Sequence, residues 1–512
     1  MALNKILSNI QFINLSIRNR YQYINIVLTI AFSIIIFNTL PFHPDFSGGI
    51  TIALKYLAGE RPYLDIIENN PPMTFYMHMP SAYLEMVTGI RGEYWQYGLA
   101  LLLCLAVLCI GEWLRTGKAI PSDVQSRKRV NFGLITLLVM PMASFASRDQ
   151  LTFVLIWPLL ALYAEDAVKP RNHPAWVDLG IGLMAGLGAC IKFYFVLGPI
   201  TACLYLCWMK RSIKPVFAIE NMAAVVVCLA YVASIKILHP AYIDVILPMM
   251  PYTYFSGHPS LLYIFSNGLL VFSSLYLVAM FLKKDERLSD PRARLLLFAA
   301  LGFSAGYFAF TRNLPFRYIP PASCIFMALA AAQCHAQTSK ILKFYETLFL
   351  ILCMWFMYAS QNYSYEGLRI LRNLKIDHPK ILLLDFDLGI GQPLIRDAGG
   401  TLINPGLSPW VTTGALIFMD DETTVEQRIQ LARWIEWERN LTAQAAEKNP
   451  PDVILVSNKI YPNWFSWANM DVRMAKMLKH YKQVGSTEYV FILIKKTPEE
   501  LAKQALQPSL VD

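Results

Sequence analysis

Charge is scarce in this chain: 16% of its 512 residues are Asp, Glu, Lys or Arg, against 55% hydrophobic residues, and the mean hydropathy is +0.39. That shortage excludes an ordinary soluble globular protein. The nine cysteines all fall in apolar stretches and form no C-x-x-C pair, and the polar C-terminal third has none, so neither a zinc ribbon nor a disulfide scaffold is indicated. They read as small core residues. Histidine is also sparse, and His43, His78, His239 and His258 show no H-x-x-x-H spacing of metal ligands. Gly389 and Gly391 are followed by no third glycine at the spacing of a phosphate-binding turn, which argues against a dinucleotide site. The net charge of +9 is read by its location in loops, as a mark of the cytoplasmic side and not of a nucleic-acid partner.

What the chain has is long apolar runs. A membrane span needs roughly 20 such residues, which predicts about eleven spans, near 22–40, 96–114, 130–147, 150–165, 175–191, 193–209, 216–238, 261–282, 295–311, 318–336 and 340–359. Lys5, Arg18 and Arg20 precede the first, which reads as a retained signal anchor. Charge decides whether Pro71 to Gly89 is a further span. If it crossed, Arg115, Lys118, Arg127, Lys128, Arg129, Lys210, Arg211 and Lys214 would face outward, against the positive-inside rule. Placed in the outer interface as an amphipathic helix, it leaves those residues cytoplasmic, together with Lys169, Arg171, Lys283, Lys284, Arg292 and Arg294. The loops 41–95 and 239–260, the turns at Asp149, Lys192 and Arg312 to Arg317, and the tail 360–512 are then extracytoplasmic.

The tail changes character. Ile381 to Phe386, Asp452 to Ser457 and Tyr489 to Ile494 read as strands, and Thr424 to Glu447 and Trp464 to Tyr481 as helices. The expected fold is a polytopic α-helical membrane domain over 1–359, with interfacial helices in 41–95, and a C-terminal extracytoplasmic α/β domain over 360–512.

The unexplained polar residues sit at the outer face. Asp45, Glu60, Asp65 and Glu68 crowd with His43, Arg61 and Tyr63 just beyond the first span. Asp45 suits a general base or, equally, a helix cap for Ser47 to Leu57, a role Ser47 also fits. Asp149 follows Arg148 between two apolar runs. An ionisable group so close to hydrocarbon reads as functional, with an Arg148 to Asp149 ion pair tying the turn as the alternative. Lys192, Arg312 and Arg317 are outer cations beyond what anchoring needs. Phosphate binding is favoured over snorkelling for them.

These stretches together resemble the GT-C superfamily of polyprenyl-phosphate-dependent glycosyltransferases, in particular the bacterial protein mannosyltransferase and lipid A aminoarabinose transferase group. Asp45 after the first span, the run Gly59, Glu60, Arg61, Pro62, Tyr63, Leu64, Asp65 and the Asn70, Pro71, Pro72 opening are similar to that family's first outer loop. Lys192, Phe193 and Tyr194 resemble a lysine-aromatic turn of bacterial members, and Arg312 to Pro320 their late basic turn. Where many relatives carry Glu, often followed by His, this chain has Asp149 and Gln150, which leaves metal dependence open.

The resemblance implies transfer of a sugar from a polyprenyl-phosphate donor, with inversion, to an extracytoplasmic lipid, polysaccharide or protein at the bacterial inner membrane. Asp45 would be the base, and Lys192, Arg312 and Arg317 would hold the departing phosphate. Asp149 would position the acceptor or a divalent cation, and Tyr63, Asp65, Glu68 and Arg148 would shape the sugar or acceptor pocket. A transporter or flippase for a lipid-linked glycan is the rival reading. It is disfavoured by the lack of a convincing internal repeat and by polar residues gathered at one face.

Overall fold

Apolar runs become helices along most of the chain in the computed structural model, which describes residues 23–254, 268–282, 286–310, 315–332, 340–359, 363–419, 423–458 and 463–501. The chain divides into two compact units. One comprises Met1–Pro41, Tyr94–Ala233 and Pro259–Gln361, and the other Phe42–Glu93, Ser234–His258 and Asn362–Asp512. The division therefore follows contacts and not chain order, and residues 42–93 fall with the tail.

In the first unit a helix lies at each expected span. Gly92–Thr116, Phe193–Lys210 and Ile219–Leu238 are long and apolar enough to cross a membrane, and a fourth is reached if Tyr23–Thr39 and Pro44–Leu57 are counted together. The others are shorter or interrupted. The run expected at 130–147 begins as the polar helix Val124–Leu134 and continues through a π segment, Ile135–Val139, into a 3-10 turn, Met142–Ser144. Arg148–Asp166 carries charges at both ends, while Ala175–Ile191 and Ile319–Ala332 are apolar but shorter.

Glycine sets how closely these helices approach. A Cβ at Gly302 would stand 2.2 Å from the Leu197 carbonyl oxygen, and one at Gly306 2.2 Å from that of Tyr194. Helix Pro291–Phe310 thus lays backbone on backbone against the segment after Lys192, the use a small-xxx-small pattern has between membrane helices.

The second unit is built on a five-stranded sheet of order β2-β1-β3-β5-β4, with β1 Lys380–Leu384, β2 Thr401–Leu402, β3 Val453–Ser457, β4 Tyr481–Ser486 and β5 Val490–Lys495. Strands β2, β1 and β3 are parallel, and β5 pairs antiparallel with both β3 and β4. The central strands are apolar throughout because both faces are covered. Leu382, Leu384, Ile454 and Val456 meet Trp464 and Trp467 in one core. Helix Val425–Lys448 starts where expected, on a capping box of Thr424 and Gln427.

Two expectations for the tail change. Trp464 to Tyr481 is not one helix but Trp464–Asn469 and Val472–Leu478, and Tyr481 opens β4. The break falls at Asp471, whose carboxylate accepts from the Arg473 and Met474 amides and so caps a new helix. Strands β2 and β4 carry no strand signal in the sequence: β2 is two residues long, and β4 is an edge strand with Lys482, Gln483 and Gly485.

In the loop 41–95, Pro44 takes the opening position of helix Pro44–Leu57. Pro71 to Gly89 holds two short helices, Met73–Tyr76 and Met79–Thr88, neither of spanning length.

Candidate active site

Asp149 is fully buried in the first turn of helix Arg148–Asp166. Ser147 caps that helix by accepting from the Gln150 amide. The Gln150 side chain accepts from the Ala146 amide and donates to the Leu137 carbonyl, which fastens a turn containing two positive-φ residues, Met142 and Ala146. A carboxylate at this end of a helix is favoured by the helix dipole. Neither Asp149 oxygen has a hydrogen-bond partner among the described residues. Its ion pair is with Lys192, whose Nζ stands 3.7 Å from Oδ2. The pair that ties this turn is therefore Asp149 to Lys192, not the neighbouring Arg148 to Asp149. Arg148 itself is buried, and its carbonyl accepts from Thr152 Oγ1 at 2.8 Å.

Lys192 sits at a break between helices, with φ −141° and ψ 89°, linking helix Ala175–Ile191 to the 3-10 turn Phe193–Val196. Its ammonium lies 5.7 Å from the Tyr194 ring centroid, and the lysine is nearly buried. Arg317 is buried in the 3-10 turn Pro315–Tyr318, where Tyr318 meets the Ser273 hydroxyl. Arg312 lies outside the described residues.

The remaining candidates belong to the second unit. Asp45 is half-buried as the second residue of helix Pro44–Leu57. Its amide donates to His43 Nδ1 at 3.2 Å, so the cap is His43 and neither Asp45 nor Ser47. Ser47 Oγ donates instead to Glu93 Oε1 at 2.8 Å. Tyr63 has φ 65° and is fully buried, and its hydroxyl donates to the Asn70 carbonyl at 2.8 Å. Its ring packs against Phe75, His239 and Tyr242. Asp65 accepts Arg61 Nε at 2.8 Å and Nη2 at 2.9 Å, and those bonds hold its carboxyl below the usual range. Glu68 accepts from the Asn70 amide at 2.9 Å. Tyr63, Asp65 and Glu68 thus shape the loop from within.

Sequence reasoning missed Tyr76, whose hydroxyl meets His239 Nε2 at 2.5 Å, and Arg396. The latter bridges Glu85 and Glu93, each at 2.5 Å, while Arg91 joins Glu93 to Asp397. The only sequence signal for the arginines is charge in two separate loops, and Tyr76 has none.

A divalent cation does not fit at Asp149. The donor set there is one carboxylate with an ammonium beside it, and among the described residues no three His, Cys, Asp or Glu side chains converge.

No protein-family model and no curated protein sequence matches the chain. Among solved structures, ArnT from Cupriavidus metallidurans in the apo state is similar with a TM-score of 0.54 at 11% identity, over 91% of this chain and 97% of that one. The Archaeoglobus fulgidus oligosaccharyltransferase tethered with an acceptor peptide gives a TM-score of 0.43 at 11% identity, over 94% of this chain and 74% of that one. The first likeness shows a GT-C-like fold, as the sequence resemblance implies.

Proposed function

We propose that this GT-C-like chain is an integral membrane glycosyltransferase, which moves a sugar from a polyprenyl-phosphate donor to a lipid, polysaccharide or protein acceptor on the extracytoplasmic side of a bacterial inner membrane. Fold alone does not specify chemistry. The observation that carries the reading is the buried Asp149–Lys192 pair at a break between apolar helices. Two charges in such a place are expensive to desolvate, and the ammonium stands 3.7 Å from its carboxylate.

In this scheme the acceptor hydroxyl oxygen attacks the anomeric carbon while the bond from that carbon to the donor's phosphate oxygen breaks. The hydroxyl proton passes to Asp45, and the lipid phosphate leaves with the bonding electron pair. Lys192, with Arg317 and Arg312, neutralises the phosphate as its charge grows, which lowers the barrier electrostatically. Asp149 holds Lys192 in place through their ion pair. Tyr63, Asp65 and Glu68 act on the pocket through the shape of the first outer loop, and Arg148 remains a candidate for the acceptor.

The interfacial reading of Pro71 to Gly89 is supported by helix Met79–Thr88. Tyr83, Met86 and Val87 are 59%, 57% and 65% exposed, while Ser81 and Ala82 are buried. An apolar face turned outward from an inner face of small residues suits the surface of a bilayer. The domains proposed are the membrane part to residue 359 and the α/β tail beyond it.

The test is sugar transfer in membranes supplied with a radiolabelled polyprenyl-phosphate sugar. Wild-type membranes should form a product that membranes lacking the chain do not, and Asp45→Asn should lower turnover by about 100-fold or more at equal folded amount. Wild-type-like turnover in that variant removes Asp45 as the base, and no product from the wild type removes the reading itself.

A further inference from the structure

The second unit holds an open cavity of about 1070 Å³ against the edge of its sheet. We infer that this cavity is a binding site for an anionic saccharide, one bearing carboxylate or phosphate groups. The inference deepens the reading above, since it names the acceptor class, and it rests on that reading for the word acceptor.

Its wall carries six basic side chains, Lys55, Arg61, Arg91, Lys380, Arg396 and Lys448, against three acids, Glu60, Asp65 and Glu85. Every acid is already matched: Glu60 by Lys55 at 3.4 Å, Asp65 by Arg61 at 2.8 Å, and Glu85 by Arg396 at 2.5 Å. Arg91 is engaged by Glu93 and Asp397. Lys380, the first residue of β1, and Lys448, the last of helix Val425–Lys448, have no ion pair among the described residues. Lys448 does more than end its helix, because its field helps hold the Asp65 carboxyl low. A cleft with surplus charge of one sign focuses its field and concentrates counter-charged ligands.

The lining also excludes a neutral sugar as the best occupant. It contains no Phe, Tyr or Trp on which a sugar face or a nucleobase would stack, so recognition falls to charge and hydrogen bonds. Thr51, Thr401, Gln444 and Asn449 supply polar groups, and Gly399 and Gly400 bare the backbone. The volume is at the upper end for a small-ligand site and suits several sugar rings in place of a single anion.

The experiment measures binding to the purified full chain in neutral detergent, with no donor present. The probes are hexagalacturonate, the uncharged maltohexaose, and micelles doped with a phosphorylated disaccharide lipid. At least one charged probe should bind about tenfold or more tightly than maltohexaose and weaken with added salt. Lys380→Gln/Lys448→Gln should lose about tenfold of that affinity at an unchanged melting temperature. Binding of hexagalacturonate assigns the site to a free polysaccharide, whereas binding of the lipid alone assigns it to a membrane glycolipid. Equal binding of charged and neutral probes, no binding of either charged probe, or wild-type affinity in the double variant overturns the inference. Charged-probe binding without sugar transfer would leave this site standing and remove the transferase reading, so the two fail separately.

Discussion

Asp149 and Lys192 form a pair whose value lies in being complete. Removing one partner leaves the other charge buried, which costs roughly 3–5 kcal/mol, whereas replacing both by neutral groups of similar size is far less damaging. Asp149→Asn and Lys192→Met should therefore each lower the unfolding midpoint of the solubilised chain, and the double variant should lose much less than the sum. Thermal unfolding in detergent measures this, and strictly additive losses would show that the two charges are not coupled. Lys192 is legible in the sequence because a single cation interrupts an apolar run. Its partner is not, since a linear reading favours the adjacent Arg148, and the pairing is made by two helix termini brought together in space. His43 is hidden for a different reason: histidine is not among the residues that commonly cap helices, so Asp45 and Ser47 compete for a role that neither fills.

At the scale of elements, the turn holding Lys192 depends on how closely helix Pro291–Phe310 can approach. Gly306 meets the Tyr194 carbonyl and Gly302 the Leu197 carbonyl, so any side chain at either position must drive the backbones apart. Gly306→Leu should cut transfer to about a tenth or less, in line with the cost of misplacing a group by an ångström, and should lower the melting temperature. Gly180 has open space where its Cβ would stand, so Gly180→Leu should leave both nearly unchanged. If the two variants behave alike in membrane expression, melting and transfer, close backbone packing is not what positions the lysine. Helix positions are legible because apolar runs specify them, but the close approach is not, because a glycine in a membrane helix looks the same whether it faces a backbone or lipid. The split of Trp464 to Tyr481 is likewise hidden, since Asp471 reads as one more polar residue on a helix until its carboxylate is seen to cap the next one.

On the scale of the whole molecule, the polytopic class and the α/β tail follow from composition and from the apolar strands β1, β3 and β5, which need burial on both faces. The grouping of residues 42–93 with the tail does not, because it comes from contacts hundreds of residues apart, such as Arg396 with Glu85 and Glu93. The same unit contains a built-in pH response. Glu438, fully buried in helix Val425–Lys448, accepts from the Val411 and Thr412 amides at 3.2 and 2.7 Å, at the start of helix Trp410–Phe418. Burial pushes its carboxyl up to about 7 from an ordinary 4.5, against the opposing pull of those amides. Between those two values the folded chain holds a proton that the unfolded chain has released, so stability falls as pH rises through the window and levels off above it. The full swing corresponds to about 3 kcal/mol. Tryptophan fluorescence of the tail, followed through thermal unfolding from pH 4.5 to 8, should show this decline in the wild type. Glu438→Gln should be less stable at low pH, because its amide nitrogen must face a backbone N–H, but should lack that part of the slope. Equal slopes in the two proteins would place the titrating group elsewhere.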